Sequence, residues 1–245
     1  MAVLLLYGMG KQPSGWRVLE HSAVRYARVY WIRGGRTRYR SGEGTMELKQ
    51  NHVYIFPTLS PYEMDTDPDD PLDCLFLHLD LPSGNLRRPV CINPDREFSH
   101  LLRALEDGIL LDRSSTYLDL LARSFEALCI EKGLLKKPSE NALRWMALIR
   151  RTYRTDLSIR ALAADLGYTQ EAFIRAFQKQ VGITPHRYAI SLRMNDAVQL
   201  LAGGSSLDEI AHQVGYSDGH SFAGAFRRYY GVSPADYRRL YAGYV

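Results

Sequence analysis

Cysteine is scarce in this chain. Its 245 residues hold three, Cys74, Cys91 and Cys129, an odd number with no C-x-x-C spacing. That count excludes a disulfide framework, and a zinc site needs clustered ligands, so buried thiols in a reducing compartment are expected. Long apolar runs are missing as well. The longest early one, Val3 to Tyr7, is too short for a membrane span or a signal-peptide core, and no basic residue precedes it. It is expected to be a strand in a cytoplasmic protein with no membrane partner. Charge of one sign is also lacking overall, since the net is only +4, but its distribution is uneven. Residues 1–138 carry 18 basic and 18 acidic side chains, whereas residues 139–245 carry 13 and 9. A basic C-terminal part beside a neutral N-terminal part points to a polyanion partner for one domain.

What is present is a change of period along the chain. From Val18 to about Leu81 short alternating runs such as Val24 to Ile32 carry β-branched and aromatic residues. Turn signals interrupt them at Gly34-Gly35, Ser41 to Gly44, Ser60-Pro61 and Asp67 to Pro71. A small barrel or sandwich is expected there. The acidic stretch Glu63 to Asp73 lacks EF-hand spacing and is read as a solvated turn. From Asp95 the period becomes helical. Phe98, Leu101, Leu102, Leu105 and Ile109 share one face, as do Tyr117, Leu120, Leu121, Phe125 and Leu128 before Gly133. A connector at Lys136 to Ser139 precedes helices that continue to the end. The predicted class is α+β, with a β-rich domain over 1–94, bridging helices over 95–138 and an all-α domain over 139–245.

The all-α part repeats itself. Ser158-Ile159-x-x-Leu162-Ala163-x-x-x-Gly167-Tyr168-Thr169 returns 48 residues later as Ser206-Leu207-x-x-Ile210-Ala211-x-x-x-Gly215-Tyr216-Ser217. Beyond that the offset is 49, so Phe173, Phe177, Gly182, Pro185 and Tyr188 answer to Phe222, Phe226, Gly231, Pro234 and Tyr237. One residue is inserted within Asp218-Gly219-His220. Each copy has the parts of a helix-turn-helix. A small residue, Ala163 or Ala211, permits a close helix crossing; Gly167 or Gly215 supplies a positive φ; Thr169 or Ser217 caps the second helix; and paired phenylalanines face the core. Two packed amphipathic helix pairs with no DNA role are the alternative for a single copy. Two copies with matching cap, glycine and proline positions argue against it, and two copies are too few for a solenoid.

These residues resemble the DNA-binding domain of the AraC/XylS family of transcription regulators over about 140–241. Arg193-Met194-x-x-Ala197-x-x-Leu200-Leu201 matches that family's linker helix, expected from about Pro185 to Ala202, and Ile210 to Arg238 matches its C-terminal signature. The resemblance implies a sequence-specific DNA-binding regulator, not an enzyme, with units at about 157–180 and 205–229. Double-stranded DNA is the implied partner, RNA polymerase and a homodimer are further ones, and no cofactor or metal is implied.

In the first unit the outward positions of the helix from Thr169 to Gln180 are Gln170, Glu171, Ile174, Arg175, Gln178 and Lys179. The resemblance places base reading on Glu171, Ile174 and Arg175. Arg175 suits guanine O6 and N7, and Glu171 suits cytosine N4. Gln178 and Lys179 are expected on phosphate. In the second unit the outward positions include Asp218, His220, Ser221, Ala223 and Gly224. Gly224 departs from the family, which usually has an arginine or another polar residue there. The second unit is therefore expected to anchor the backbone through Ser217, Arg227 and Arg228 while the first discriminates sequence.

The strand-rich stretch has a weaker resemblance to the cupin-like sensor barrel of that family, through Gly34-Gly35, Leu48, Val53 to Pro57, Pro61 and Phe76-x-His78. That implies a small-molecule effector, often a sugar. Arg28, Tyr30, Arg38, Tyr54 and His78 are polar or aromatic residues on strand-like segments that could line its pocket, although such aromatics also serve as plain core. Two rival readings remain open: a barrel that only dimerises, and a metal-dependent cupin enzyme. Against the latter, the seven histidines (21, 52, 78, 100, 186, 212, 220) contain no H-x-H pair. The helices over 96–132 could offer a dimer seam through Leu118, Leu121, Phe125 and Leu128, or pack those residues on the chain's own barrel.

Overall fold

A computed structural model describes residues 2–20, 26–58, 60–81, 86–155 and 157–241. The chain divides into two compact units, Met1–Lys137 and Pro138–Val245. His21, Val24 and Arg25 lie outside the described residues.

The first unit contains strands β1 (Val3–Lys11), β2 (Arg17–Glu20), β3 (Tyr26–Gly34), β4 (Thr37–Ser41), β5 (Gly44–Glu47), β6 (Val53–Ile55), β7 (Tyr62–Thr66), β8 (Asp73–Asp80) and β9 (Val90–Ile92). Helices α1 (Arg96–Leu110) and α2 (Ser115–Glu131) follow. The strands form two antiparallel sheets, ordered β1-β8-β3-β6-β9 and β2-β7-β4-β5. Alternation along β3 and β8 decides what each face of the larger sheet meets. Ala27, Val29, Leu75, Leu77 and Leu79 join Phe98, Leu102, Leu105, Leu118, Ala122, Phe125 and Cys129 in one core. On the opposite face Tyr30 packs edge-on to Phe56, and Phe56 stacks on Tyr39 and Tyr62 of the smaller sheet.

The α2 stripe is thus covered by the chain's own strands. Leu118 and Phe125 are buried there, and Leu121 and Leu128, partly buried, pack against the same core. The helical face expected for α2 is displaced by one position. Tyr117 and Leu120 are exposed, while Leu118, Ala122 and Cys129 are buried. The acidic stretch is only partly a turn, since Glu63 lies in β7, and Arg36 pairs with Asp67 (2.9 Å) and Asp70 (3.5 Å). Of the thiols, Cys74 and Cys129 are buried; Cys91, on the edge strand β9, is exposed and corrects the expectation of three buried ones.

The second unit holds α3 (Glu140–Thr152), α4 (Ile159–Asp165), α5 (Gln170–Val181), α6 (Pro185–Ala202), α7 (Leu207–Val214), α8 (Gly219–Tyr230) and α9 (Pro234–Tyr241). Helix starts follow from capping chemistry, because side-chain oxygens of Ser139, Ser158, Thr169, Thr184 and Ser206 accept the first free backbone N–H groups. Pro185 opens α6, where its missing N–H costs nothing. Gly182 and Gly231 end α5 and α8 in the left-handed conformation. Trp145, Phe173, Phe177 and Tyr188 form one aromatic core. Met194, Ala197, Leu201, Ile210, Ala211, Phe222, Phe226 and Tyr237 form another. The helix α6 contributes to both.

Candidate functional site

In the first repeat α4 crosses α5 at the fully buried Ala163, where a larger side chain would push the helices apart. The chain turns at Gly167 (φ +76°), and the Thr169 hydroxyl caps α5 by accepting the Ala172 N–H at 3.2 Å. Phe173, Phe177 and Val181 point inward. Thr169, Gln170, Glu171, Arg175, Gln178 and Lys179 are left exposed, while Ile174 is half-buried beside the core stripe. One polar face of α5 therefore faces outward with a guanidinium at its middle and a lysine in its last turn.

The second repeat starts its recognition helix differently. Its cap is Asp218, not Ser217, because the inserted residue moves the helix start along by one. The Asp218 carboxylate accepts the Ser221 N–H at 2.7 Å and the Ser217 and Ser221 hydroxyls at 2.7 and 3.0 Å. Those bonds, the Ser221 backbone one foremost, pull its pKa down to about 2. The exposed Ser217 hydroxyl, expected on phosphate, donates here to the Asp218 carboxylate. The next N–H, of Gly219, donates to Asp208 of α7 at 2.8 Å. A Cβ at Gly219 would lie 2.7 Å from that carboxylate oxygen and 3.2 Å from the Leu207 carbonyl carbon, so only glycine lets α8 start this close to α7. The positive end of α8 is consequently occupied by the chain's own carboxylates. His220, Ser221, Arg227 and Arg228 are exposed, and Ala223 and Gly224 are half-buried.

Between the sheets of the first unit lies a polar cluster. The buried Arg28 guanidinium pairs with Glu20 and donates to the Tyr62 and Tyr26 hydroxyls at 3.0 and 2.8 Å. Burial works against its charge, but the Tyr26, Tyr62 and Glu20 oxygens outweigh that and hold it protonated. His78 is buried 5.1 Å from the Tyr26 ring, and burial followed by the Arg28 charge pushes it well below the usual histidine range. Tyr30 belongs to the same interior, and Tyr54 pairs with it across β3 and β6 while its hydroxyl accepts the Lys49 N–H at 2.9 Å. Arg38 does not belong. The alternation of β4 buries Tyr39 and turns Arg38 outward, where it meets Asp65 at 3.3 Å. Among the described residues no three His, Cys, Asp or Glu side chains gather into a metal cluster.

A helix-turn-helix domain family matches residues 162–240, which span α4 to α9. Residues 162–240 are a helix-turn-helix domain of the AraC type. The AraC-type domain brings relatives with it. The chain is 39% identical to the probable transcriptional regulator LumQ of Photobacterium leiognathi over 83 residues, 34% of each chain. It is 24% identical to the raffinose operon regulatory protein RafR of Pediococcus pentosaceus, covering 86% of this chain and 84% of that one. The alignments with LumQ and with YisR of Bacillus subtilis span only 34% and 49% of those relatives' lengths. In fold, the chain is similar to ToxT of Vibrio cholerae, with a TM-score of 0.66 over 96% of this chain and 97% of that one, at 12% identity.

Several residues that shape the AraC-type domain and the barrel interior escape sequence reasoning. Asp208 is one, since nothing in α7 marks a side chain that caps the following helix. The inserted residue next to Asp218-Gly219 is the available signal. Glu20, Tyr26 and Tyr62 around Arg28 are others. Tyr26 follows from the period of two on β3, but Glu20 and Tyr62 reach the cluster only through the facing of two sheets.

Proposed function

We propose that this protein is a sequence-specific DNA-binding transcription regulator controlled by a small molecule. The observation that carries the first half is the pair of capped, outward-facing helices α5 and α8 held on one linker helix, α6. On this reading Glu171, Ile174 and Arg175 read bases, with Gln170, Gln178 and Lys179 beside them. Thr169 supports the α5 terminus, and Arg227 and Arg228 grip phosphate in the second unit. His220, Ser221 and the Asp218 carboxylate face the same groove from α8. The test is selection of a random DNA pool by the full chain at two salt concentrations. A motif of two elements about one helical turn apart, weakening steeply with salt, is expected. Retention of DNA without any enriched motif, with and without candidate effectors, overturns the reading.

The effector half rests on Arg28. A buried ion pair contributes little net stability compared with apolar packing, so its place between two aromatic-rich sheets supports a binding role for Arg28, Tyr30, Tyr54 and His78. Because Glu20 already balances Arg28, the cluster suits a neutral, hydroxyl-bearing ligand such as a sugar better than an anion. ToxT has been solved with an unsaturated fatty acid bound, which names the rival ligand class. Thermal stabilisation of the full chain by a neutral polyol, lost in Arg28→Ala, is expected; stabilisation by carboxylates alone would assign the other class. A second copy of the chain and RNA polymerase complete the partners of this reading.

A further inference from the structure

The linker helix α6 carries two charged residues that hold the segment leading into the first repeat, and one of them also reaches the second repeat. Arg193 is the first. Its Nε donates to the Tyr153 carbonyl at 2.6 Å, Nη1 to the Gly215 carbonyl at 2.9 Å and Nη2 to the Thr155 carbonyl at 3.3 Å. Tyr153 and Thr155 lie just ahead of the first helix-turn-helix, whereas Gly215 is the turn of the second. One planar guanidinium thus spans backbone acceptors from both repeats, and its carbon lies 5.5 Å over the Tyr216 ring of the second turn. Asp196, one turn further along α6, accepts from Arg154 Nε and Nη2 at 2.8 and 2.6 Å and from the Tyr153 hydroxyl at 2.5 Å.

The repeat itself supplies a control. A Cβ at Gly215 would lie 2.6 Å from the Arg154 carbonyl oxygen, so the second turn sits against the backbone that leads into the first unit. The equivalent Gly167 has open space there. The helix-turn-helix by itself does not need this contact, which exists only where the two repeats meet. We propose that Arg193 is a positioning residue that sets the separation between α5 and α8, and thereby the spacing of the two DNA elements the protein accepts. Arginine is needed because three carbonyls in different directions call for the fork of N–H donors that lysine lacks.

The inference rests on tandem DNA reading by α5 and α8, and the experiment separates the two. Full-length wild type, Arg193→Gln, Arg193→Lys and Val181→Ala are each presented with the selected motif at its native spacing and with spacers one base pair longer and shorter. Val181→Ala removes buried core away from the clamp and serves as a destabilised control. Wild type is expected to prefer the native spacing strongly. In Arg193→Gln that preference should fall at least about tenfold, since losing even one of the three hydrogen bonds from a charged group has that effect. Arg193→Lys should fall between, and it carries the test if the glutamine variant does not fold. Val181→Ala should lower the melting temperature yet keep the spacing preference. An unchanged preference in both Arg193 variants, or an equal loss in Val181→Ala, overturns the inference while leaving tandem reading intact. A wild type that selects no two-element motif overturns tandem reading, and the inference with it.

Discussion

Arg175 and His220 occupy the middle of α5 and the first turn of α8, and their chemistry ranks them. A guanidinium can take both guanine acceptors at once with its fork of N–H donors, whereas a neutral imidazole has a single N–H donor and cannot make that bidentate pair. Arg175→Ala is therefore expected to lose about 1–3 kcal/mol of discrimination at one base position. His220→Ala should lose less, as read by binding to single-base variants of the motif. The opposite ranking would place specificity in the second unit. His78 behaves in a way that follows from burial. Its folded pKa lies below the free value of 6.5, so the unfolded chain takes up a proton first as pH falls. Stability is then complete above about pH 6.5 and declines below it, by on the order of 1 kcal/mol per pH unit. Melting of the full chain from pH 7.5 to 5.5 should show this decline, and His78→Leu should flatten it. An equal slope in both proteins would mean that His78 is not the group responsible.

At the scale of elements, α8 holds two glycines with opposite meanings. Gly219 sits where a Cβ would press on Asp208 and the Leu207 backbone, so Gly219→Ala must push α8 away from α7. A loss of about 1–3 kcal/mol is expected, the usual effect of overpacking a close contact. Gly224 faces only the Arg228 guanidinium, 3.6 Å from an added Cβ, which is ordinary contact with a flexible group. Gly224→Ala should stabilise the helix by about 1 kcal/mol through propensity alone. Denaturant unfolding of the two variants checks the signs, and a destabilised Gly224→Ala would show that the helix needs that gap. Helix existence and ends in this unit were legible in the chain. The expected linker, Pro185 to Ala202, is the observed α6, because proline at the start and small residues at the end leave little choice. The start of α8 was not legible to the residue: Ser217 and Asp218 are both good caps, and which one is used depends on where Asp208 lies. The face of α2 was misplaced by one position because Tyr117 and Leu120 read as apolar but lie on the solvent side.

At the scale of the whole molecule, the proposed DNA binding should depend on charge. If Arg227 and Arg228 grip phosphate, replacing both with alanine should reduce the slope of log affinity against log salt by about 2, with base preference retained. A slope unchanged within error would move the phosphate contacts elsewhere. The sequence by itself determined the repeat, its caps and its buried aromatic stripes, since capping, positive-φ glycine and helical period are local and act through neighbours a few residues away. It also determined that β comes before α, from the switch of hydrophobic period. Tertiary structure alone decided that Arg38 turns out of the barrel while Arg28 meets Glu20 and Tyr62 inside it, because strand register fixes which alternate side chain faces inward. It alone covered the α2 stripe with strands, and it alone brought Tyr153, Thr155 and Gly215 around Arg193. Those contacts join residues far apart in the chain, and no local pattern records them.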